Sequence, residues 1–137
     1  MHANTSRPTT PAVWHARRNA EARLALASQF GLLSSAEIAE RAGSQAKSWK
    51  QEGQIFSVSC RGEDSFPGYQ FDGKGKPLPV IARVLAVVGS KWRGWELALW
   101  FVSSTGWLNG RSPVELLHSE PDEVVQAAER EMEDLFF

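Results

Sequence analysis

Glycine residues that follow short apolar-periodic segments set the strongest limit on what this chain can fold into. Gly31, Gly43, Gly53 and Gly89 each come directly after such a segment. Because glycine commonly ends helices and costs about 1 kcal/mol inside one, these positions divide the chain into short helices. Between them, "QIFSVSC" and "SFPGYQF" alternate around the turn "RGED", which predicts a β-hairpin. The expected fold class is mainly α, with one small hairpin.

The stretch "DGKGKP", residues 72–77, is typical of a flexible connector and is the predicted boundary between two parts. Residues 1–9 are expected to form a flexible tail. Residues 10–72 are predicted to form a helix-turn-helix with a wing-like β-hairpin. A linker at 73–77 is then expected to lead into a four-helix interaction domain at 78–137.

Composition narrows the class of protein. The chain has 137 residues, of which 42% are hydrophobic, and no apolar run approaches the roughly 18 residues of a membrane span. The first residues lack the apolar core of a signal peptide. The single cysteine, Cys60, excludes a disulfide framework and a cluster of thiolate metal ligands. We therefore expect a cytoplasmic protein that does not associate with membranes.

The net charge of −1 conceals an asymmetry along the chain. Residues 1–53 contain seven Lys/Arg and four Asp/Glu, whereas residues 77–137 contain five Lys/Arg and nine Asp/Glu. A basic front and an acidic back favour two surfaces with different partners. Random scatter of exposed charges is the alternative interpretation.

The segment "SSAEIAERAGSQAKSWKQEG" has the layout of a helix-turn-helix. Ser34 and Glu37 have the spacing of a capping box at the start of its first helix. If Ala46 and Trp49 point inward from the second helix, the opposite side presents polar or basic side chains without an acid. The lysines suit phosphates, and the amide and hydroxyl groups suit base edges. The candidate DNA-binding residues are Ser44, Gln45, Lys47, Ser48, Lys50 and Gln51.

The hairpin that follows resembles the wing of winged DNA-binding domains in its position. Its tip combines Arg61 with Glu63 and Asp64, and the phosphate backbone repels carboxylates. The hairpin is therefore expected to pack more than it contacts DNA. The alternative for the whole unit is a folding element or a protein-binding surface.

The second half contains "LNGRSPVELL", Leu108 to Leu117, after a tryptophan-bearing helical segment and before a helix of the form "xxVxxAA". Ser112 and Glu115 form a capping box around Pro113, and Leu116 and Leu117 are expected to face the core. Over residues 78–132 this arrangement resembles the Xre/MbcA/ParS-type toxin-binding domain, whose hallmark is a "LGGRSPLELL"-like turn. Asn109 replaces a common glycine of that hallmark.

The resemblance implies an antitoxin that dimerises and binds a cognate protein toxin, often an NAD-degrading RES-type enzyme. With the helix-turn-helix, it implies a transcriptional regulator of a toxin–antitoxin system. The alternative is an interaction adaptor or inhibitor without specific DNA binding. The candidate partner-binding residues are Trp107, Asn109, Gly110 and Arg111. For Arg111, a solvated or helix-capping role is the competing interpretation.

Aromatic residues raise two further expectations. Trp92, Trp95 and Trp100 are predicted to belong to the core, whereas Trp107 is the better interface candidate. The terminal Leu135-Phe136-Phe137 is predicted to cover the apolar side of the domain, to pack across a dimer or to insert into a partner, and dimer packing is favoured.

Catalytic patterns are missing from the sequence. His2, His15 and His118 lie far apart, and Cys60 has no neighbouring histidine or aspartate pattern. "GKGKP" lacks the spacing of a phosphate-binding loop. We therefore expect neither an enzyme nor a bound cofactor or metal.

Overall fold

The computed structural model describes the backbone of residues 11–43 and 45–134, and their side chains apart from residues 11–18, 42 and 46. The predicted tail at 1–9, the candidate Ser44 and the terminal Leu135-Phe136-Phe137 lie outside the described residues. The protein is mainly helical with a small antiparallel sheet. Its elements are α1 (Pro11–Phe30), β1 (Leu32–Ser34), α2 (Ser35–Ala42), α3 (Gln45–Gln51), β2 (Val58–Cys60), β3 (Glu63–Pro67), α4 (Pro79–Val88), α5 (Trp95–Val102) and α6 (Pro121–Asp134), with 3₁₀ turns at Gly68–Gln70, Gly106–Leu108 and Pro113–Leu116.

The sheet has the strand order β1-β3-β2, with both pairs antiparallel. The predicted hairpin is confirmed as β2 and β3, in register at Ser59 and Asp64. β1 was not predicted, because its three residues carry no alternation and become a strand only by pairing with the distant Phe66 and its neighbours.

The first predicted strand is shorter than expected, because the buried side chain of Gln70 forms hydrogen bonds with the backbone N–H and carbonyl of Phe56. Gln70 Oε1 accepts from the Phe56 N–H at 2.8 Å, and Gln70 Nε2 donates to the Phe56 carbonyl at 2.9 Å. Gln70 Nε2 also donates to the Pro67 carbonyl at 3.2 Å. A side chain thus replaces a strand partner at Phe56, and regular pairing begins only at Val58.

One hydrophobic cluster runs through both predicted parts of the chain. The Phe56 and Phe101 rings are stacked with centroids 5.9 Å apart, and Tyr69 lies 5.2 Å from Phe101. The Tyr69 hydroxyl donates to the Ala98 carbonyl at 2.9 Å. Leu26 of α1 belongs to the same cluster. The helices of the second half therefore fold onto the hairpin instead of enclosing a separate core.

The stretch predicted to be a flexible linker is an ordered turn. Asp72 Oδ1 accepts from the backbone N–H of Lys74 at 2.8 Å and of Lys76 at 3.0 Å. The Asp72 N–H donates to the Lys76 carbonyl at 2.8 Å, and the Gly75 N–H donates to the Asp72 carbonyl at 3.0 Å. The aspartate side chain thus satisfies the backbone of the turn.

Val80, Ile81, Val84 and Val88 of α4 are buried, and α4 packs against α6. α5 begins at Trp95, where Gly94 occupies the N-cap position with a positive φ. Only Trp100 of the three predicted core tryptophans is buried. Trp92 and Trp95 are half-buried and pack against the cluster from outside.

Candidate nucleic-acid and partner interfaces

α2 and α3 are held by a small cluster of apolar side chains. Ile38, Ile55 and Phe66 are buried there, and Trp49 packs against them half-buried. The Trp49 ring lies 6.3 Å from the Phe71 ring. α2 begins with the predicted capping box. The Ser34 N–H donates to Glu37 Oε1 at 3.0 Å, and the Glu37 N–H donates to Ser34 Oγ at 3.1 Å. Trp49 thereby fixes which side of α3 faces away from the protein.

The side of α3 opposite Trp49 presents the predicted polar residues together. We call this surface the outer face of α3; Lys47, Ser48 and Gln51 form it and Gln45 and Lys50 flank it, and all five are exposed. None of them carries a carboxylate. Ser44 cannot be assigned to this face because it lies outside the described residues.

Lys50 differs from the expectation, because its charge is already balanced by the hairpin. Its Nζ donates to Asp64 Oδ2 of β3 and forms an ion pair with it. Lys47, by contrast, has no carboxylate partner within residues 11–43 and 45–134. This pair could not be predicted from spacing, because the partners are 14 residues apart and meet only through the fold.

The hairpin tip holds an arginine in an unfavourable conformation. Arg61 has φ 55° and Gly62 has φ 81°, so both residues of this tight turn are left-handed. Such turns favour Asn-Gly, because the left-handed conformation costs most other L-residues roughly 1–2 kcal/mol. The turn nevertheless exposes the Arg61 side chain.

The outer strand of the sheet is tied to α5. Trp95 Nε1 donates to the Ser59 carbonyl of β2 at 2.9 Å. The Arg23 guanidinium of α1 lies 4.9 Å from the centre of the Trp95 ring, within cation–π distance. β2 is an edge strand, so this bond satisfies one of its outward carbonyls and fixes the hairpin against the second half.

The candidate partner-binding residues lie together in one closed loop, residues 105–111, which we call the Trp107 loop. Its ends meet through the Thr105 N–H donating to the Arg111 carbonyl at 3.1 Å. Asn109 adopts the left-handed conformation, which asparagine tolerates better than most residues other than glycine. Trp107, Asn109, Gly110 and Arg111 are all exposed.

Trp107 is 43% exposed, and its ring lies 5.7 Å from the Arg130 guanidinium of α6. The segment after the loop, Pro113–Leu116, is a 3₁₀ turn. The Ser112 N–H donates to Glu115 Oε2 at 2.8 Å, and the Ser112 hydroxyl donates to the same oxygen at 2.9 Å. These two bonds lower the pKa of Glu115. The predicted capping box is therefore present and holds the loop in place, with Leu116 and Leu117 buried beneath it.

The remaining reactive side chains, such as the Tyr69 hydroxyl and the Cys60 thiol, lie in packed parts of the protein and not in a shared site. Burial raises the pKa of Tyr69, whose hydroxyl is used in the bond to Ala98. Cys60 is a half-buried thiol on β2. Within the described ranges, no group of three His, Cys, Asp or Glu side chains is arranged to hold a metal ion. No helix in the described part of the chain is both long and apolar enough to cross a bilayer.

Comparisons with known proteins identify a shared fold. No family model matches the chain, and no curated protein matches it. Among solved structures, the chain is similar to one described as "NMR structure of Rv2175c", with a TM-score of 0.63 and 21% sequence identity. The match covers 72% of this chain and 79% of that chain. At this identity, the likeness shows that the fold occurs in another protein.

Proposed function

We propose that this protein is a DNA-binding transcriptional regulator of the antitoxin type, whose second half binds a protein partner. The observation that carries the proposal is the outer face of α3, where exposed amide, hydroxyl and ammonium groups lie together without a carboxylate. An α-helix with such a face fits the major groove, where amides and hydroxyls bind base edges and lysines bind phosphates.

The order of elements supports the same function. The series α1-β1-α2-α3-β2-β3, with the sheet order β1-β3-β2, is consistent with a winged helix-turn-helix and supports the proposal. In such a domain, α3 is the recognition helix and the β2–β3 turn is the wing. Gln45, Lys47 and Ser48 then contact the DNA from the first turns of α3. The ion pair of Lys50 reduces the positive charge, so the non-specific part of the affinity is expected to be modest.

The Trp107 loop supports the partner-binding half of the proposal. An aromatic side chain that is 43% exposed on a rigid loop offers apolar area at little entropic cost. Because "LNGRSPVELL" resembles the toxin-binding hallmark, we assign this loop, with Arg111, as the surface that binds a cognate toxin. In the family that toxin is often a RES-type enzyme. The same family resemblance implies a homodimer, and the lone cysteine favours a reducing, cytoplasmic location.

A second candidate function is a protein-interaction adaptor that retains the shape of a DNA-binding domain without its use. The ion pair between Lys50 and Asp64 favours this candidate, because it neutralises one of the two lysines on α3. The acidic composition of α6 favours it as well, since such a surface repels phosphates.

Selection from a random duplex pool, followed by fluorescence anisotropy, tests the DNA-binding half. We expect the selected duplex to bind far more tightly than a scrambled one, with affinity that falls steeply with salt. Lys47→Glu should weaken binding to both duplexes, because phosphate contacts are independent of sequence, whereas the matched charge reversal Arg111→Glu in the Trp107 loop should leave both affinities unchanged. Equal affinity for the selected and scrambled duplexes would reject specific DNA binding and leave the adaptor.

Affinity capture from the native cells, after nuclease treatment, tests the partner-binding half. We expect one protein to be retained in a fixed stoichiometric ratio and to be lost with Trp107→Ala. Lys47→Glu should not affect this capture, so that the two variants separate the two activities. Sedimentation of the purified protein tests the dimer. Capture that is unchanged by Trp107→Ala would contradict the assigned surface.

A further inference from the structure

The loop between α4 and α5, residues 89–94, has a composition unlike the rest of the second half. It reads "GSKWRG" and carries Lys91 and Arg93 with no acid. Residues 77–137 otherwise carry three basic and nine acidic side chains. A basic loop within an acidic region creates a local positive potential, which suits an anionic partner that the surrounding surface would repel.

The fold brings this α4–α5 loop beside the end of the recognition helix. Arg93 and Gly94 line one surface groove together with Lys50 at the end of α3, and with Ser57 and Ser59 at β2. Asp64 also lines this groove, and its carboxylate is engaged by Lys50. The groove therefore continues the outer face of α3 onto the second half of the protein.

Arg93 also lines a second groove, between α1 and α5. Arg23 lies in that groove with its guanidinium over the Trp95 ring at 4.9 Å, and Asn19 and Ser103 are further polar members. Glu96 is its acid. Among the described residues, no carboxylate is paired with Arg93. Two guanidinium groups thus follow α3 along one surface path, and Arg93 stands at the junction.

We propose that the α4–α5 loop is a second DNA contact, in which Arg93 binds a backbone phosphate next to the site occupied by α3. This inference rests on the proposed DNA binding. Guanidinium groups bind phosphates through two parallel N–H donors, and the hydroxyls of Ser57 and Ser59 are additional phosphate donors in the groove. Arg23, further along, reaches the adjoining stretch of backbone. The contact carries no base information, so it extends the footprint without changing the sequence read by α3.

The test is fluorescence anisotropy with a mixed-sequence duplex of roughly two helical turns, titrated with salt from about 50 to 200 mM. Loss of one phosphate contact lowers the slope of log affinity against log salt by about 0.9 and weakens binding about eightfold near 0.1 M salt. Arg93→Ala should show this loss. Arg83→Ala is the matched control, because Arg83 on α4 is paired with Asp122 of α6 at 2.8 Å. It should leave the slope unchanged.

The outcomes separate this inference from the proposed function. If Arg93→Ala and Arg83→Ala bind alike while Lys47→Glu weakens binding, α3 binds DNA and the second contact is wrong. If the unaltered protein shows no salt-dependent binding, the proposed function itself fails. Hydroxyl-radical footprinting adds a second readout, in which Arg93→Ala shortens protection at one edge of the footprint only. Thermal unfolding checks that each variant is folded.

Discussion

Asp64→Asn should strengthen DNA binding, because it releases the Lys50 ammonium from its ion pair. The pair is exposed, with 43% and 49% of the two side chains accessible to solvent, so its loss should cost at most about 1 kcal/mol of unfolding free energy. The released lysine adds one phosphate contact, which steepens the salt slope by about 0.9. Near 0.1 M salt this corresponds to about eightfold tighter binding, or about 1.2 kcal/mol.

The assay is the same anisotropy titration, with Asp122→Asn as the control. That substitution also removes an aspartate from an exposed ion pair, the one with Arg83, but on α6. Both variants change the net charge equally, so a difference between them reports the position of the freed cation. If both variants bind the duplex equally well, Lys50 does not face DNA and the assignment of the outer face of α3 is refuted.

Three further predictions concern stability. Gln70→Leu should lower the unfolding free energy by about 3–5 kcal/mol in urea titrations, because it leaves buried polar groups of Phe56 unpaired, whereas Gln126→Leu on the exposed side of α6 should change it little. Arg61→Asn should raise it by about 0.5–1 kcal/mol by relieving the left-handed turn, and an unchanged or lower value would contradict the strained geometry. The Ser112 bonds lower the pKa of Glu115 in the folded state, so its carboxylate stabilises the fold at pH values above the ordinary pKa of 4.5. This stabilisation is lost as the pH falls through the lowered pKa. Glu115→Gln should therefore flatten the decline of stability below about pH 4.5. An unaltered slope would show that the Ser112 bonds do not persist in solution.

Local sequence signals predicted the helices of this fold well. Glycine positions and capping pairs are properties of neighbouring residues, and the glycines located the ends of α1, α2, α3 and α4 within a residue or two. β1 was missed because three residues become a strand only through pairing with a distant partner. Likewise, Gln70 reads as an ordinary polar residue, and its bonds to Phe56 depend on a chain reversal that spacing does not reveal.

The candidate sites divide along the same physical line. The phase of α3 follows from helical periodicity, so the exposure of Lys47 and Ser48 opposite Trp49 could be predicted. The ion pair of Lys50 and the approach of Arg93 to α3 arise where separate elements meet, and no local pattern encodes them.

The stacked rings of Phe56 and Phe101 have a consequence for how this chain can change over evolution. The tight turn at Asp72 separates the two halves of the chain in sequence, so it is the natural point at which to join halves from two related proteins. A chimera joined there would face a foreign aromatic partner and would leave the Tyr69 hydroxyl without the Ala98 carbonyl. The two halves must therefore keep matching residues at this contact, so that the chain tolerates substitutions on its surface better than the exchange of a whole half.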